Sequence, residues 1–340
     1  MTKLADIARA LDLDVSVISR ALSRSPKNRK RVNEETRKRI QETARKMNYV
    51  PDRSAVFFRQ KKAPTILCFL PGYVERLLGG LVVGISEEAS RQKFPVNFFF
   101  GRENADYENF CEALNRIKHS GVITYPPPKM TNFMRAEIEK YHKNGGHVLI
   151  LNACSNEGIG DERFEGIPQL QINDCYGGRL VARHFMERGA EVFFRSEITA
   201  VYEFRHQGFR DTLRTAGYTD LEFSIDAFLG EYGKGKKIGV FGLSDTDALN
   251  VMLQLELHGL LAGRDYLLSG FDDQYLSETM TPSLTTIHQP TREEGVLAVK
   301  KIIRLVEGEK AESEFLNPWL TVRETTGGKR SPFGTKEIIY

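Results

Sequence analysis

Two apolar stripes at helical spacing open the chain within residues 4–22. They are formed by Leu4, Ile7, Ala8 and Leu11, and then by Val15, Ile18, Ala21 and Leu22. This periodicity predicts two short helices. Residues 12–14 interrupt it, and the carboxylate of Asp14 can cap the second helix by accepting its unpaired amide hydrogens. Two such helices joined by a tight turn form a helix-turn-helix unit.

The start of the second helix carries the candidate DNA contacts. A helix-turn-helix places this end in the major groove, so Val15, Ser16 and Val17 are expected to face base edges. Ser19 and Arg20 follow one turn later, within reach of phosphates or bases. An ordinary helical hairpin that caps a domain fits the same pattern.

A third amphipathic helix is predicted from an Asn33 cap to about Met47. The preceding loop, residues 23–31, is strongly basic. We expect Arg29, Lys30 and Arg31 to contact phosphates, because each neutralised phosphate releases counterions and adds affinity. A merely solvated loop is the alternative.

From residue 63 the pattern changes to short apolar runs that alternate with helical stretches. The first set comprises residues 65–70, 81–92, 96–100, 107–117, 121–125, 132–144 and 148–151. The second comprises residues 170–172, 177–187, 192–194, 203–216, 238–241, 246–257, 267–271 and 284–286. This alternation predicts an α/β core of two doubly wound parallel-sheet lobes after an all-α headpiece. A cleft between such lobes, at the strand ends, suits a small molecule.

The charge is distributed unevenly over the 340 residues. Residues 1–62 hold 17 Lys and Arg against 7 Asp and Glu, whereas the rest holds 31 against 38. A basic head on a mildly acidic body is the distribution expected of a protein that binds nucleic acid through its head.

Neither an enzyme nor a cofactor or metal site is expected. The Cys residues have no CxxC pairing, and the sequence contains no HExxH or GxSxG motif. The glycine- and lysine-rich residues 233–237 lack the spacing of a phosphate-binding loop. With no signal peptide pattern and no long apolar run, the sequence predicts a cytoplasmic protein that does not contact a membrane.

Several spaced motifs resemble the LacI/GalR family of bacterial transcriptional regulators. In the headpiece they are L-x-D-I-A (residues 4–8), I-S-R (18–20), V-N-E-E-T-R-x-R-I (32–40), A-x-x-M-x-Y-x-P (44–51) and R-S-A (53–55). In the core they are I-N-D-x-x-G-G-R-L (172–180), R-x-x-G-F-R (205–210), S-G-F-D-D (269–273), T-P-S-L-T-T-I-x-Q-P (281–290) and L-T-V-R-E-T-T (320–326). The family usually has Gly and Ser in the turn where this chain has Asp12 and Asp14.

The resemblance implies a helix-turn-helix headpiece at residues 1–48 and a hinge helix at 49–62 that orders on the operator. Arg53 and Ala55 belong to this segment, and Phe58 takes the position of the family's minor-groove wedge, usually Leu. Phe is an accepted wedge. Packing of Phe57 and Phe58 on the core is the alternative.

The resemblance also implies a core similar to periplasmic sugar-binding proteins, at residues 63–326, with a tail at 327–340. In that fold the chain crosses between lobes three times, here near residues 152–168, 287–291 and 317. The first lobe is then about 63–160 plus 290–316, and the second about 168–287 plus 318–326. The tail contains no heptad repeat, so a homodimer formed through the core, and not a tetramer, is expected.

The family's effector contacts carry over to Arg205 and Asp272, with Ser244 as a weaker polar contact where the family has Asn. A lobe-to-lobe or surface salt bridge is the alternative role for each of the first two. The family's stacking aromatics after the first strand are replaced, and Glu75 and Leu77 lie at those positions. Tyr125 and Phe241, at predicted strand ends, are candidates to stack on a ligand instead.

The sequence therefore predicts a transcriptional regulator, expected to be a repressor of carbohydrate genes, that binds a palindromic operator in double-stranded DNA as a homodimer. A small-molecule effector in the cleft, with a sugar as the class that the resemblance implies, would control it. The alternative is a regulator of the same type whose cleft no longer binds any small ligand.

Overall fold

The computed structural model describes residues 3–22, 30–47, 49, 65–72, 75–127, 130–152, 164, 166–199 and 201–329, except for the side chains of 75–77. The predicted hinge segment, apart from residue 49, and the tail from residue 330 lie outside this part of the chain. The description that follows is confined to these residues.

The headpiece consists of helices α1 (Leu4–Leu11), α2 (Val15–Ala21) and α3 (Glu34–Lys46). Its small core includes Ile7, Ile18 and Ile40, one from each helix, and all three are fully buried. The side chain of Asn33 caps α3 by accepting a hydrogen bond of 2.8 Å from the amide of Thr36. The predicted helices and the cap are confirmed.

The first lobe is a parallel sheet with helices on both faces. Its elements are β1 (Ile66–Pro71), α4 (Glu75–Gln92), β2 (Val96–Gly101), α5 (Asn104–Arg116), β3 (Gly121–Thr124), α6 (Asn132–Lys143), β4 (Val148–Leu151), β5 (Gln169–Ile172), α12 (Thr291–Val306) and β11 (Glu314–Leu316). The strand order is β11-β5-β4-β3-β1-β2. Helices α4 and α12 cover one face, and α5 and α6 cover the other.

The second lobe repeats this plan with a smaller sheet. Its elements are α7 (Asp174–Glu187), β6 (Val192–Arg195), α8 (Glu203–Thr215), β7 (Asp220–Glu222), α9 (Ile225–Tyr232), β8 (Ile238–Phe241), α10 (Asp245–Glu256), β9 (Leu267–Ser269), α11 (Tyr275–Thr279), β10 (Thr286–His288) and β12 (Trp319–Thr321). The parallel order is β7-β6-β8-β9, and β10 pairs antiparallel with β12 beside it. Helices α7 and α8 cover one face, and α9 and α10 the other.

Strand β5 corrects one predicted lobe boundary. The sequence assigned residues 168–172 to the second lobe, but β5 pairs with β4 and with β11 in the first. An apolar run predicts a strand without specifying the sheet that it joins, so the pattern carried no information on this pairing. The first crossing therefore lies at residues 173–174, after β5, and the predicted crossing at 152–168 is wrong. The other crossings lie at 289–290 and 317–318.

Several bounds also differ from the pattern. Helix α4 begins at Glu75, six residues before the predicted start. The pattern did not predict this beginning, because residues 75–80 contain two charged residues and two glycines that interrupt the apolar period. Strand β10 ends at His288, two residues beyond the predicted end. The short elements β7, α9 and α11 were not predicted, since each is too short for a clear period.

In each lobe, two neighbouring helices pack directly against each other at a glycine. A Cβ on Gly84 of α4 would collide with the carbonyl oxygen of Arg292 at the start of α12. A Cβ on Gly178 of α7 would collide with the carbonyl oxygen of Arg205 on α8. Any larger side chain would push these pairs apart, so glycine fixes their close approach.

Candidate DNA-binding and effector sites

The turn between α1 and α2 has the geometry that a helix-turn-helix requires, although the chain places Asp where the related motif has Gly. Asp12 adopts a left-handed conformation, with φ 51° and ψ 48°, and ends α1. Asp and Asn tolerate this region better than other residues with a side chain. The carboxylate of Asp14 then accepts a 2.7 Å hydrogen bond from the amide of Ser16 and caps α2. Hydrogen bonding by Ser16 lowers the pKa of Asp14.

The predicted DNA contacts on α2 divide into exposed and packed side chains. Val15, Ser16 and Arg20 are exposed, with Val15 retaining 42% of its surface. Val17 is half-buried and packs against the headpiece core. An exposed valine beside a serine, at the open end of a capped helix, offers the apolar and polar contacts that base edges accept.

The other predicted DNA contacts are only partly described. Lys30 and Arg31 are exposed immediately before α3, and Ser19 is half-buried on α2. Arg29, Arg53, Ala55 and Phe58 lie outside the described residues, and their roles stay predictions.

Arg205 lies at the centre of the polar site in the second lobe, on α8. Its Nε donates to Asp174 at 3.1 Å, and its Nη1 lies 3.0 Å from Asp272 and donates to the carbonyl of Leu243 at 2.8 Å. The guanidinium also lies over the ring of Phe271, 3.9 Å from the ring centroid. These contacts leave 5% of the side chain exposed and fix its orientation.

Charge compensation makes the buried arginine tolerable. Burial opposes its charge, but the adjacent Asp174 and Asp272 outweigh that effect and raise the pKa of Arg205. Within the described residues, the structure places no hydrogen-bond partner at its Nη2. That nitrogen is available to a ligand.

Asp272 follows the second-lobe sheet at a strained position, with a φ of 122°. Its Oδ1 accepts a 2.6 Å hydrogen bond from Gln289 at the second crossing. Burial raises the pKa of Asp272, and the charge of Arg205 opposes the shift. Such a backbone conformation persists where surrounding contacts over-determine it, which is common at ligand sites.

Ser244 has a local role. Its hydroxyl caps α10 by accepting from the amide of Asp247 at 3.1 Å and donates to the Asp247 carboxylate at 2.8 Å. The next residue, Asp245, is buried and accepts hydrogen bonds from Thr286, from Ser277 and from the amide of Gln274. Burial raises the pKa of Asp245 to about 7.

The predicted stacking role of Phe241 is wrong. The side chain is fully buried and packs on Phe209 at a centroid distance of 5.0 Å, so no face of the ring is open to a ligand. Tyr125 is half-buried against the core of the first lobe. The side chains of Glu75 and Leu77 lie outside the described part of the chain, although their backbone belongs to α4.

Sequence reasoning missed four polar residues that the fold brings to the crossings: Asn152, Asp174, Gln289 and Glu294. Asp174 follows β5, Gln289 follows β10 and Asn152 follows β4, each at the carboxyl end of its strand. This strand-end placement was the available signal. No cluster of His, Cys, Asp and Glu able to hold a metal occurs in the described residues. No helix among them is long and apolar enough to cross a membrane.

Comparisons place this architecture among known proteins. Residues 182–326 match the family described as periplasmic binding protein-like domain. The ribose operon repressor of Halalkalibacterium halodurans is 24% identical over 97% of this chain and 99% of its own length. The solved structure of a transcriptional regulator CelR–cellobiose complex matches 96% of this chain and all of its own, with a TM-score of 0.62 and 20% identity. The Lac repressor dimer bound to operator and the anti-inducer ONPF matches 96% of this chain and 99% of its own, with a TM-score of 0.64 and 20% identity.

Proposed function

We infer that this chain belongs to the LacI/GalR family and is a DNA-binding transcriptional regulator, a repressor controlled by a small molecule in the cleft between its lobes. The observation that carries this function is the α1–α2 unit, whose capped second helix exposes Val15, Ser16 and Arg20. Relatives matched over nearly the full chain are themselves regulators, among them a ribose operon repressor. The chain is not an enzyme.

The contacts with DNA divide by chemistry. Val15 and Ser16 would contact base edges and give sequence preference, whereas Arg20, Lys30 and Arg31 would contact phosphates. Arg29 and the hinge residues Arg53, Ala55 and Phe58 extend this proposed interface. A palindromic operator follows from a dimer, since two equivalent headpieces read two equivalent half-sites.

The effector would contact Arg205 through its free Nη2, together with Asp272 and Gln289. All three lie at or near the crossings between lobes, so a ligand held there favours one angle between the lobes over another. We place the chain in the cytoplasm, where its DNA target is found.

Selection from a random DNA pool with the full-length protein tests the proposed operator. We expect enrichment of a palindrome, followed by anisotropy measurements in which Arg20→Ala weakens binding by about 1 kcal/mol or more. Arg39→Ala removes the same charge from the exposed face of α3 and serves as the matched control. Equal losses in both variants would show that Arg20 makes no direct contact with the operator. Failure to enrich any sequence would overturn the function.

A further inference from the structure

Glu294 is an unusual residue at the second crossing. It lies in the first turn of α12, which begins directly after the crossing at residues 289–290, and is 0% exposed. Its Oε1 accepts a 2.8 Å hydrogen bond from Nδ2 of Asn152, at the end of β4. Its Oε2 is buried without any hydrogen-bond partner among the described residues. Buried polar atoms nearly always have a partner, so this oxygen needs an explanation.

The electrostatic surroundings that the protein itself provides for Glu294 favour the neutral acid. Burial raises the pKa of Glu294 to about 8, and the negative charge of Asp174, across the boundary in the second lobe, adds to the shift. Asn152 opposes the shift but does not cancel it. At neutral pH these surroundings favour the protonated form of the carboxyl group, whose Oε2 has no partner among the described residues.

The polar site of the second lobe, on the other side of the proposed cleft, has no uncompensated positive charge. Arg205 is paired with both Asp174 and Asp272, so this trio carries a net negative charge. An anionic ligand would be repelled by the excess carboxylate. A neutral sugar would satisfy Asp272 and Gln289 but would leave a buried acid that is already subject to the negative charge of Asp174 without a counter-charge. A cation would pair with both carboxyl groups.

We propose that the cleft binds an effector carrying a protonated amine, with its ammonium group between Glu294 and Asp174 and its hydroxyl groups toward Asp272 and Gln289. The ligand class is an amino sugar or an amino polyol. This assignment rests on the proposed effector role of the cleft. A metal ion does not fit, because the described residues provide no group of three suitable ligands around this position.

Binding moves one proton. The amine enters already protonated, and Glu294 ionises because a cation beside it favours its charged form. The proton of Glu294 passes to the buffer, so up to one proton is released per ligand bound at pH 7. A ligand without an amine would leave Glu294 protonated and release none.

Matched ligand pairs test the proposal on the full-length protein by thermal shift and calorimetry. The probes are glucosamine against glucose, galactosamine against galactose, and glucamine against sorbitol. We expect at least one amine to bind on the order of tenfold more tightly than its hydroxyl counterpart. Calorimetry in two buffers of different ionisation enthalpy should show proton release for the amine alone. Equal or tighter binding of the hydroxyl compounds, or no binding by any probe, would overturn the proposal.

Substitutions at Glu294 separate a ligand contact from a structural role. Glu294→Gln should reduce the preference for the amine to about twofold or less and abolish proton release. Glu294→Met, which fills the site without a polar group, should do the same if Glu294→Gln fails to fold. Glu293→Gln, the exposed neighbour, is the matched control and should behave as wild type. A preference for the amine that survives both Glu294 substitutions would contradict the proposed subsite.

Operator binding distinguishes this subsite from the proposed function. If an amine binds through Glu294 but leaves the affinity of the wild-type protein for its selected operator unchanged, then the subsite holds and the effector role fails. If the operator is bound but no amine is preferred, the regulator stands and the ammonium subsite fails.

Discussion

At the scale of single residues, the polar site depends on groups whose protonation differs between the folded and unfolded chain. Burial raises the pKa of Asp245 to about 7 and that of Glu294 to about 8. In the unfolded chain both carboxyl groups lose their protons near pH 4. The folded protein therefore retains more protons than the unfolded one between about pH 4 and 8, and these two groups make stability fall as pH rises through that range.

This linkage gives a prediction for Glu294. While one group holds an extra proton in the folded state, the free energy of unfolding falls by about 1.4 kcal/mol per pH unit. Glu294→Gln removes this contribution, so its loss of stability between pH 5 and 8 should be smaller than that of wild type. Urea unfolding at several pH values measures the difference, with Glu293→Gln as control. Identical slopes in wild type and Glu294→Gln would mean that Glu294 is ionised in the folded state.

At the scale of elements, the turn between α1 and α2 shows how a departure from a familiar motif can keep its geometry. Asp12 holds the left-handed conformation without glycine, with φ 51°. We predict that Asp12→Gly leaves the headpiece folded, whereas Asp12→Val destabilises it by about 1–2 kcal/mol, because a branched side chain clashes in this conformation.

Hydrogen exchange of the α1 and α2 amides in the full-length protein measures this effect. Protection in Asp12→Val should drop in the headpiece alone, while the core sheets keep theirs. Equal protection in the Gly and Val variants would mean that the turn adopts another conformation in solution.

The sequence predicted those elements whose hydrophobic period and capping residues both lie within or directly beside the element itself. The headpiece helices, the Asp14 and Asn33 caps and most core strands follow from spacing and cap chemistry. The lobe to which β5 belongs did not follow, because pairing is decided by the rest of the sheet. The stacking role of Phe241 failed for a similar reason. An aromatic residue at a strand end points to the core or to the cleft according to the register, which the pattern leaves open.

The site was predicted in part. Arg205 and Asp272 came from motif matches, and the structure shows that Arg205 pairs with Asp272 and also with Asp174. The unpartnered Oε2 of Glu294 could not be predicted from the sequence. It depends on the contact between α12 and the end of β4, which are more than a hundred residues apart along the chain.

At the scale of the whole molecule, exposed apolar side chains indicate where a second copy would pack. Leu253 is exposed on α10, and Leu257, the residue that caps the end of this helix, is 88% exposed. Tyr275 and Leu276 are exposed on α11, whose start is tied to α10 through Asp245. Exposed apolar groups of this size commonly mark interfaces, and the proposed palindromic operator requires a dimer.

We therefore predict that Leu257→Glu converts the dimer to a monomer. The carboxylate would be buried in the interface without a partner. The free-energy cost of burying this unpaired charge would exceed the stabilisation that the apolar contact of Leu257 gives to the dimer. Light scattering at micromolar concentration should show a dimer for wild type and a monomer for the variant. Leu221→Glu, an exposed leucine on β7, is the matched control. A dimer that survives Leu257→Glu would place the interface elsewhere, and a wild-type tetramer would contradict the expected assembly.

The glycine contacts at Gly84 and Gly178 favour rigid lobes, so that a small rotation at the crossings would produce a larger displacement at the far end of a lobe. Helices packed this closely resist sliding, so we expect each lobe to move as a unit about the crossings, which lie beside the carboxyl ends of the strands. The chain enters the first lobe at the opposite edge, before β1, a strand of six residues. At about 3.3 Å per residue, the arm from pivot to entry is about 20 Å. A rotation of about 10° at the crossings would then displace the amino-terminal end of β1 by about 3.5 Å, a shift about equal to the rise of one base pair.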